Sequence, residues 1–212
     1  MKKIDKKTLI LTSIITLLPI VVGVILWDKL PDSIATHFGM DGTPNGWSSK
    51  TFTVYGIPVF LCFFHLLCLG ITSVDPKYEN MSDKLYKIVS WMIPIISWIL
   101  AVTCYTYACG IEINIAKYGM AGTGILFMVI GNYLPKCKQN YTMGIKIPWT
   151  LDDEENWSHT HRMAGFLWVM GGLLIAVNAF LGFVWLFLVI IVVMTVVPMI
   201  YSYLYYKKKH HK

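Results

Sequence analysis

The stretch MAGFLWVMGGLLIAVNAFLGFVWLFLVIIVVMTVVPMIYSYLYY, residues 163–206, holds no Asp, Glu, Lys, Arg or His. As one helix its 44 residues would rise about 66 Å, roughly twice the hydrocarbon thickness of a bilayer. The run must therefore fold back once. The turn is expected near Asn178–Phe183. Two spans follow from this stretch alone, and with them the class: an all-α integral membrane protein.

Working toward the N-terminus, four more apolar runs appear, at residues 119–134, 88–110, 52–72 and 8–27. The last is about 30 Å as a helix and follows Lys2, Lys3, Lys6 and Lys7. It is too long for a signal-peptide core and is read as an uncleaved first span. The expected architecture is a bundle of six transmembrane helices with an outer loop and an inner interfacial helix. It divides into two three-span halves, 1–110 with outer loop 28–50 and 111–212 with inner segment 135–161. Of the 212 residues, 56% are hydrophobic and 14% charged, a surface too poor in charge for a soluble domain of this size.

Charge assigns the sides. With six spans, fifteen of the eighteen Lys and Arg fall on the side of the termini; only Lys29, Lys50 and Lys117 fall opposite. The positive-inside rule then predicts a plasma-membrane protein with both termini in the cytoplasm. The same distribution argues against direct nucleic-acid binding, because the basic residues end apolar runs instead of forming a stripe. Tyr201, Tyr203, Tyr205 and Tyr206 would form an inner aromatic belt. The five cysteines lie mostly inside apolar runs without a CxxC pair, so buried thiols are expected and not a disulfide framework.

Two segments exceed what a connector needs. The outer one, LPDSIATHFGMDGTPNGWSSK, is rich in turn signals. Its binding candidates are Pro31, Asp32, His37, Phe38, Asp41, Gly42 and Trp47. His37 with Asp32 and Asp41 makes either a metal or pH-sensitive set or, the reading favoured, a compact lid with Trp47 at the interface. No metal site or cofactor is predicted. In the inner segment Thr150 and Asp153 form a capping signal, with Asp152, Asp153, Glu154 and Glu155 in a first turn. A helix is expected from about Leu151, with Asp153, Trp157, His161 and Gly165 on one face and Trp157 at headgroup depth. Trp149 and Trp157 would anchor it, and Lys136, Lys138, Lys146 and Arg162 would meet anionic membrane lipid. Within the spans, His65, Asn178 and Glu112 are read as structural.

The inner segment resembles the SdpI family signature. The residues that carry the likeness are Gly131, Asn132, Pro135, Asn140, Gly144, the Pro148-Trp149-Thr150-Leu151 block, Trp157, Thr160, His161 and Arg162. The first half resembles the uncharacterised domain that often precedes it, through Leu30, Pro31, His37, Phe38, Gly42, Gly46, Trp47, Ser49 and Lys50. One departure is Lys146-Ile147, where the family often has Arg-Thr; Lys lacks the planar two-pronged contact of Arg.

The resemblance implies a membrane immunity or sensor protein of a Gram-positive bacterium. It would protect against, or signal, a secreted membrane-active toxin peptide or envelope stress, with a cytoplasmic repressor or signalling partner inside. The alternative is a membrane enzyme or lipid-handling protein that holds a headgroup against Asn132, Asn140, Lys146, His161 and Arg162. Lacking paired carboxylates, HExxH, GxSxG or a P-loop, enzyme is the weaker class, and no catalytic residue is assigned. A transporter is weaker still, for want of buried charges and a broken-helix repeat.

Overall fold

The computed structural model describes residues 5–210, the last by its backbone only; Lys2, Lys3 and Lys212, which entered the charge count, lie outside it. The helices are α1 (Lys6–Ile25), α2 (Ile57–Ser73), α3 (Asp83–Ala108), α4 (Ile115–Tyr133), a short α5 (Pro148–Asp152), α6 (Glu154–Leu181) and α7 (Val184–His210). A π-helical turn, Phe52–Gly56, runs into α2. The chain forms two compact units, one of residues 1–74 with 83–115, the other of residues 75–82 with 116–212.

Both units are arranged for lipid. Large apolar side chains such as Phe60, Phe63, Ile99, Phe166, Phe180 and Trp185 lie exposed, whereas Thr12, Thr16, His65, Ser97, Asn156, Thr160 and Ser202 are buried. A water-soluble fold would reverse this order. Among the described residues five helical stretches are long and apolar enough to cross a membrane: Lys6–Ile25, Phe52–Ser73, Asp83–Ala108, Glu154–Leu181 and Val184–Lys209. The run at 119–134 forms α4, which is not among the five. Lys117 and the cluster of Gly119, Gly122 and Gly124 dilute its apolar character.

In the first unit α3 packs on α1 through donors aimed at backbone carbonyls. Pro19 sits inside α1 and has no N–H for the carbonyl of Ile15 four residues earlier. The indole of Trp98 supplies the missing donor at 3.1 Å. Ser97 Oγ donates to the Thr16 carbonyl at 2.8 Å, and the Tyr105 hydroxyl donates to the Pro19 carbonyl at 3.3 Å. His65 Nε2 on α2 meets Thr12 Oγ1 on α1 at 2.8 Å.

The turn-rich 28–50 loop is in fact a β-hairpin, so the fold is mostly but not wholly helical. β1 (Ser33–Phe38) pairs antiparallel with β2 (Pro44–Ser49), with register shifts on either side of His37. Ile34 is fully buried and packs with Leu30, Val54, Ala101, Cys104 and Tyr105. This apolar anchor seats the hairpin on the end of the helices. Lys50 braces it with an ion pair to Asp32 at 3.4 Å and a donated hydrogen bond to the Trp27 carbonyl at 3.3 Å.

The second unit repeats the proline device. Pro198 inside α7 orphans the carbonyl of Met194, and the Trp168 indole of α6 donates to it at 2.9 Å. α4 and α6 approach at backbone distance: a Cβ built on Gly124 would lie 2.5 Å from the Gly172 carbonyl, and one on Gly131 would lie 2.9 Å from the Gly165 carbonyl. Small residues at such crossings give dispersion contact that lipid cannot match. α6 turns into α7 at Gly182, whose N–H caps the Asn178 carbonyl at 2.8 Å. The fold-back therefore falls within residues 178–183, as the apolar run requires.

Replacing Trp98 or Trp168 with Phe keeps the ring and removes the donor. Each substitution is expected to cost about 1–3 kcal/mol, the penalty of an unsatisfied buried acceptor. Thermal unfolding of the detergent-solubilised protein checks this. W91F, at an exposed position, is the control that should leave the midpoint unchanged.

Candidate functional site

Residues 134–153 fold into a strap over the start of α6, and the segment 75–82 ties it down. Asp75 is buried. Its Oδ2 accepts the Tyr141 N–H at 2.9 Å and the Thr142 hydroxyl at 2.6 Å, while its Oδ1 accepts the Lys77 N–H at 2.8 Å. Asn80 donates to the Gln139 carbonyl at 2.7 Å, and Lys77 Nζ bonds the Gln139 side chain. Gln139 in turn donates to the carbonyls of Thr150 and Leu151 at 2.7 and 2.9 Å. Neither Asp75 nor Gln139 stands out in the sequence; the one available signal is that Asp75-Pro76-Lys77 reads as an Asx-type turn.

The signature residues close the strap from within. Asn140 Oδ1 accepts the N–H groups of Thr142 and Met143 at 2.9 and 2.7 Å, and its Nδ2 donates to the Lys138 carbonyl at 2.8 Å. Thr150 Oγ1 accepts the Ile147 N–H at 3.1 Å and donates to the Ile145 carbonyl at 2.7 Å. Thr150 is therefore spent inside the strap and does not cap the long helix. That role falls to Asp153, which accepts from the N–H groups of Glu155 and Asn156, so α6 begins at Glu154 and not at Leu151. Partial burial opposes ionisation of Asp153, but Lys209 at 2.8 Å and the helix N–H groups outweigh it and hold the carboxyl below its ordinary value.

Trp157 and His161 form the centre. Trp157 is 2% exposed, a core residue and not a headgroup anchor, because its indole must reach the Cys137 carbonyl at 2.7 Å. The His161 ring stacks on it, with centroids 4.0 Å apart. His161 Nε2 accepts the Ile145 N–H at 2.9 Å, so the ring proton sits on Nδ1 and is donated to the Trp157 carbonyl at 2.8 Å. The imidazole is thus neutral with both nitrogens engaged. Gly144 faces this pair at φ +121, where a Cβ would lie 2.5 Å from His161 Nε2 and 2.7 Å from the Trp157 ring. Burial pushes the Cys137 thiol above its ordinary pKa.

The remaining candidates lie on the outside. Asn132, Lys146, Pro148 and Arg162 are exposed, and Lys146 donates to the carbonyls of Tyr141 and Thr142 at 3.0 and 3.2 Å. Trp149 is half-buried, with its ring 5.1 Å from that of Tyr203. The structure gathers Asn140, Gly144, Thr150, Trp157 and His161 into one buried knot and leaves Asn132, Lys146 and Arg162 at its surface. In the hairpin, Pro31, Asp32, His37, Asp41 and Trp47 are exposed, and Phe38 packs edge-on against Tyr107 at 5.2 Å. His37 Nδ1 bonds Asn45 Oδ1, Asp32 pairs with Lys50, and Asp41 accepts from Thr43. The three residues of the candidate His/Asp set therefore have separate partners. Gly42 takes φ 81 at the turn.

Helices with apolar exteriors and a polar interior, two of them joined by one tight turn, define a multi-span membrane protein. Residues 136–202 match the model of the SdpI/YfhL protein family, and residues 14–62 match a domain of unknown function (DUF1648). The chain is 30% identical over 202 residues to "Immunity protein SdpI" of Bacillus subtilis (strain 168), covering 94% of this chain and 96% of that one. The chain belongs to the SdpI family. No solved structure matches it.

Gly144→Ala is expected to open the strap, since the new methyl displaces the His161–Ile145 bond in a backbone conformation that L-residues rarely adopt. His161→Leu leaves the Ile145 N–H unpaired, a loss of about 1–3 kcal/mol. Limited trypsin digestion in detergent reads both: cleavage at Lys138 and Lys146 should accelerate at least tenfold, while K146Q should leave the Lys138 rate near wild type.

Proposed function

We propose that this protein is an immunity protein of the SdpI type, which protects its own cell from a secreted membrane-active peptide. The observation that carries the reading is the end-to-end match to a protein named for immunity, with neither chain leaving a large segment unaligned. In this reading α4 is a sixth span, drawn into the membrane by its glycine contacts with α6. Both termini are then cytoplasmic, the hairpin faces out and the strap faces in, in keeping with the distribution of Lys and Arg. The hairpin meets the peptide. The strap, rimmed by Lys136, Lys138, Lys146 and Arg162, meets anionic lipid and a cytoplasmic partner that reports toxin arrival.

Coupling between the two faces requires a bundle with two states whose balance the outer ligand shifts. Expression of the chain in a sensitive strain is expected to raise survival under the peptide toxins encoded by its own genome. Unchanged killing by all of them would remove the immunity reading. Alkaline phosphatase fused after residue 41 should be active and green fluorescent protein fused after residue 212 should fluoresce. An active phosphatase after residue 146 would reverse the orientation.

A further inference from the structure

Two adjoining cavities of the first unit share one residue, Ile111, and differ in chemistry. The wider one, about 670 Å³, lies where the hairpin turn approaches the end of α3. Its wall includes Asp41, Gly42, Tyr107, Glu112 and Ile113, and among the described residues it contains two carboxylates and no basic residue. The Thr43 amide and hydroxyl hold Asp41 below the ordinary carboxylate pKa, so it stays charged. The narrower one, about 200 Å³, continues from Ile111 along α1 and α3 between Leu26, Trp98, Val102 and Cys109, and its accessible wall is entirely apolar.

The way α3 ends creates this juxtaposition. Gly110 adopts φ 75, its N–H bonds the Tyr107 carbonyl at 3.0 Å, and the Ile111 N–H bonds the Thr106 carbonyl at 3.0 Å. This is a Schellman-type stop. It projects Ile111 into both cavities and sends Glu112 into the wider one. An acidic mouth followed by an apolar cleft is complementary to a molecule with a positive group at one end and an apolar side chain or chain just beyond it. A neutral or anionic amphiphile would leave Asp41 and Glu112 facing like charge or nothing.

We infer that this composite groove is the seat of a cationic amphipathic peptide segment, whose amino or guanidinium group meets Asp41 and Glu112 while its neighbouring apolar side chain enters the Val102–Cys109 cleft. The inference rests on the immunity reading and names the chemistry of the peptide that such a protein would recognise on the hairpin side.

The test uses the full chain in phosphatidylcholine nanodiscs, with empty discs subtracted. The probes are a fluorescent synthetic Lys/Leu peptide and its Glu/Leu twin. Wild type should bind the Lys/Leu peptide at least tenfold more tightly than its twin. The D41N/E112Q variant, whose changes lie in exposed loop positions and keep the Asp41 side-chain acceptor, should lose that preference. V102W, which fills the cleft, should weaken Lys/Leu binding at least fivefold. Equal affinity for the two peptides, or a preference that survives D41N/E112Q, overturns the inference. So does failure of both peptides while native mass spectrometry finds a phospholipid that V102W expels, an outcome that assigns the cleft to lipid. Protection from killing is scored separately. A wild type that protects but shows no charge preference refutes the groove and leaves immunity standing; one that binds as expected but protects against nothing does the reverse.

Discussion

In hydrocarbon there is no water to satisfy a stray carbonyl, and a proline inside a spanning helix always leaves one four residues before it. Pro19 in α1 and Pro198 in α7 do this to Ile15 and Met194, and in each unit a tryptophan from the packed helix supplies the donor. The bond does more than settle an account. It fixes which face of α3 meets α1 and which face of α6 meets α7, since an indole N–H has one direction and the orphaned carbonyl has one position. Ser97 and Tyr105 donate to neighbouring carbonyls of α1, and Asn156 donates to the Ser202 carbonyl of α7 at 3.0 Å. Polar side chains therefore align helices that apolar contact alone would let rotate, because lipid solvates a leucine as well as a protein does.

The strap extends the same constraint to irregular backbone. A loop of some twenty residues has many N–H and C=O groups, and those turned inward need partners. Gln139, Asn140 and Thr150 each bond two or more of them, and Asp75, Trp157 and His161 bond one each. A network this complete is rigid, and removal of one member strands another. The chemistry of Asn140, Thr150 and His161 is consumed in holding the backbone.

Five of the spans were legible because apolar length is a one-dimensional quantity, and the need for one fold-back within residues 163–206 followed from length alone. The hairpin was not legible as strands. Residues 44–49 read as turn formers, with Pro44, Asn45 and Gly46 in succession, and their extended shape comes from pairing with β1 and from the burial of Ile34, both tertiary facts. The helix start was misplaced for a related reason. Thr150 and Asp153 both suit an N-cap, and only the folded strap shows that the Thr150 hydroxyl is already engaged. Asp75 lies 66 positions from Tyr141, and no local pattern announces a partner that distant.

Recognition must then fall to what the packing leaves free. A buried histidine with both nitrogens bonded cannot grip a ligand without first releasing Ile145, and Asn140 cannot without releasing two N–H groups. The exposed cation Arg162 carries no such debt, and neither does Glu112 in the groove of the first unit; Lys146 is exposed too, though its ammonium is already engaged. The departure at Lys146 matters in this light. Its ammonium is an exposed point charge resting on two carbonyls, a geometry an arginine fork would extend toward a planar anion and a lysine does not. The buried knot defines the shape of the strap, and the identity of a few surface charges decides what that shape can hold.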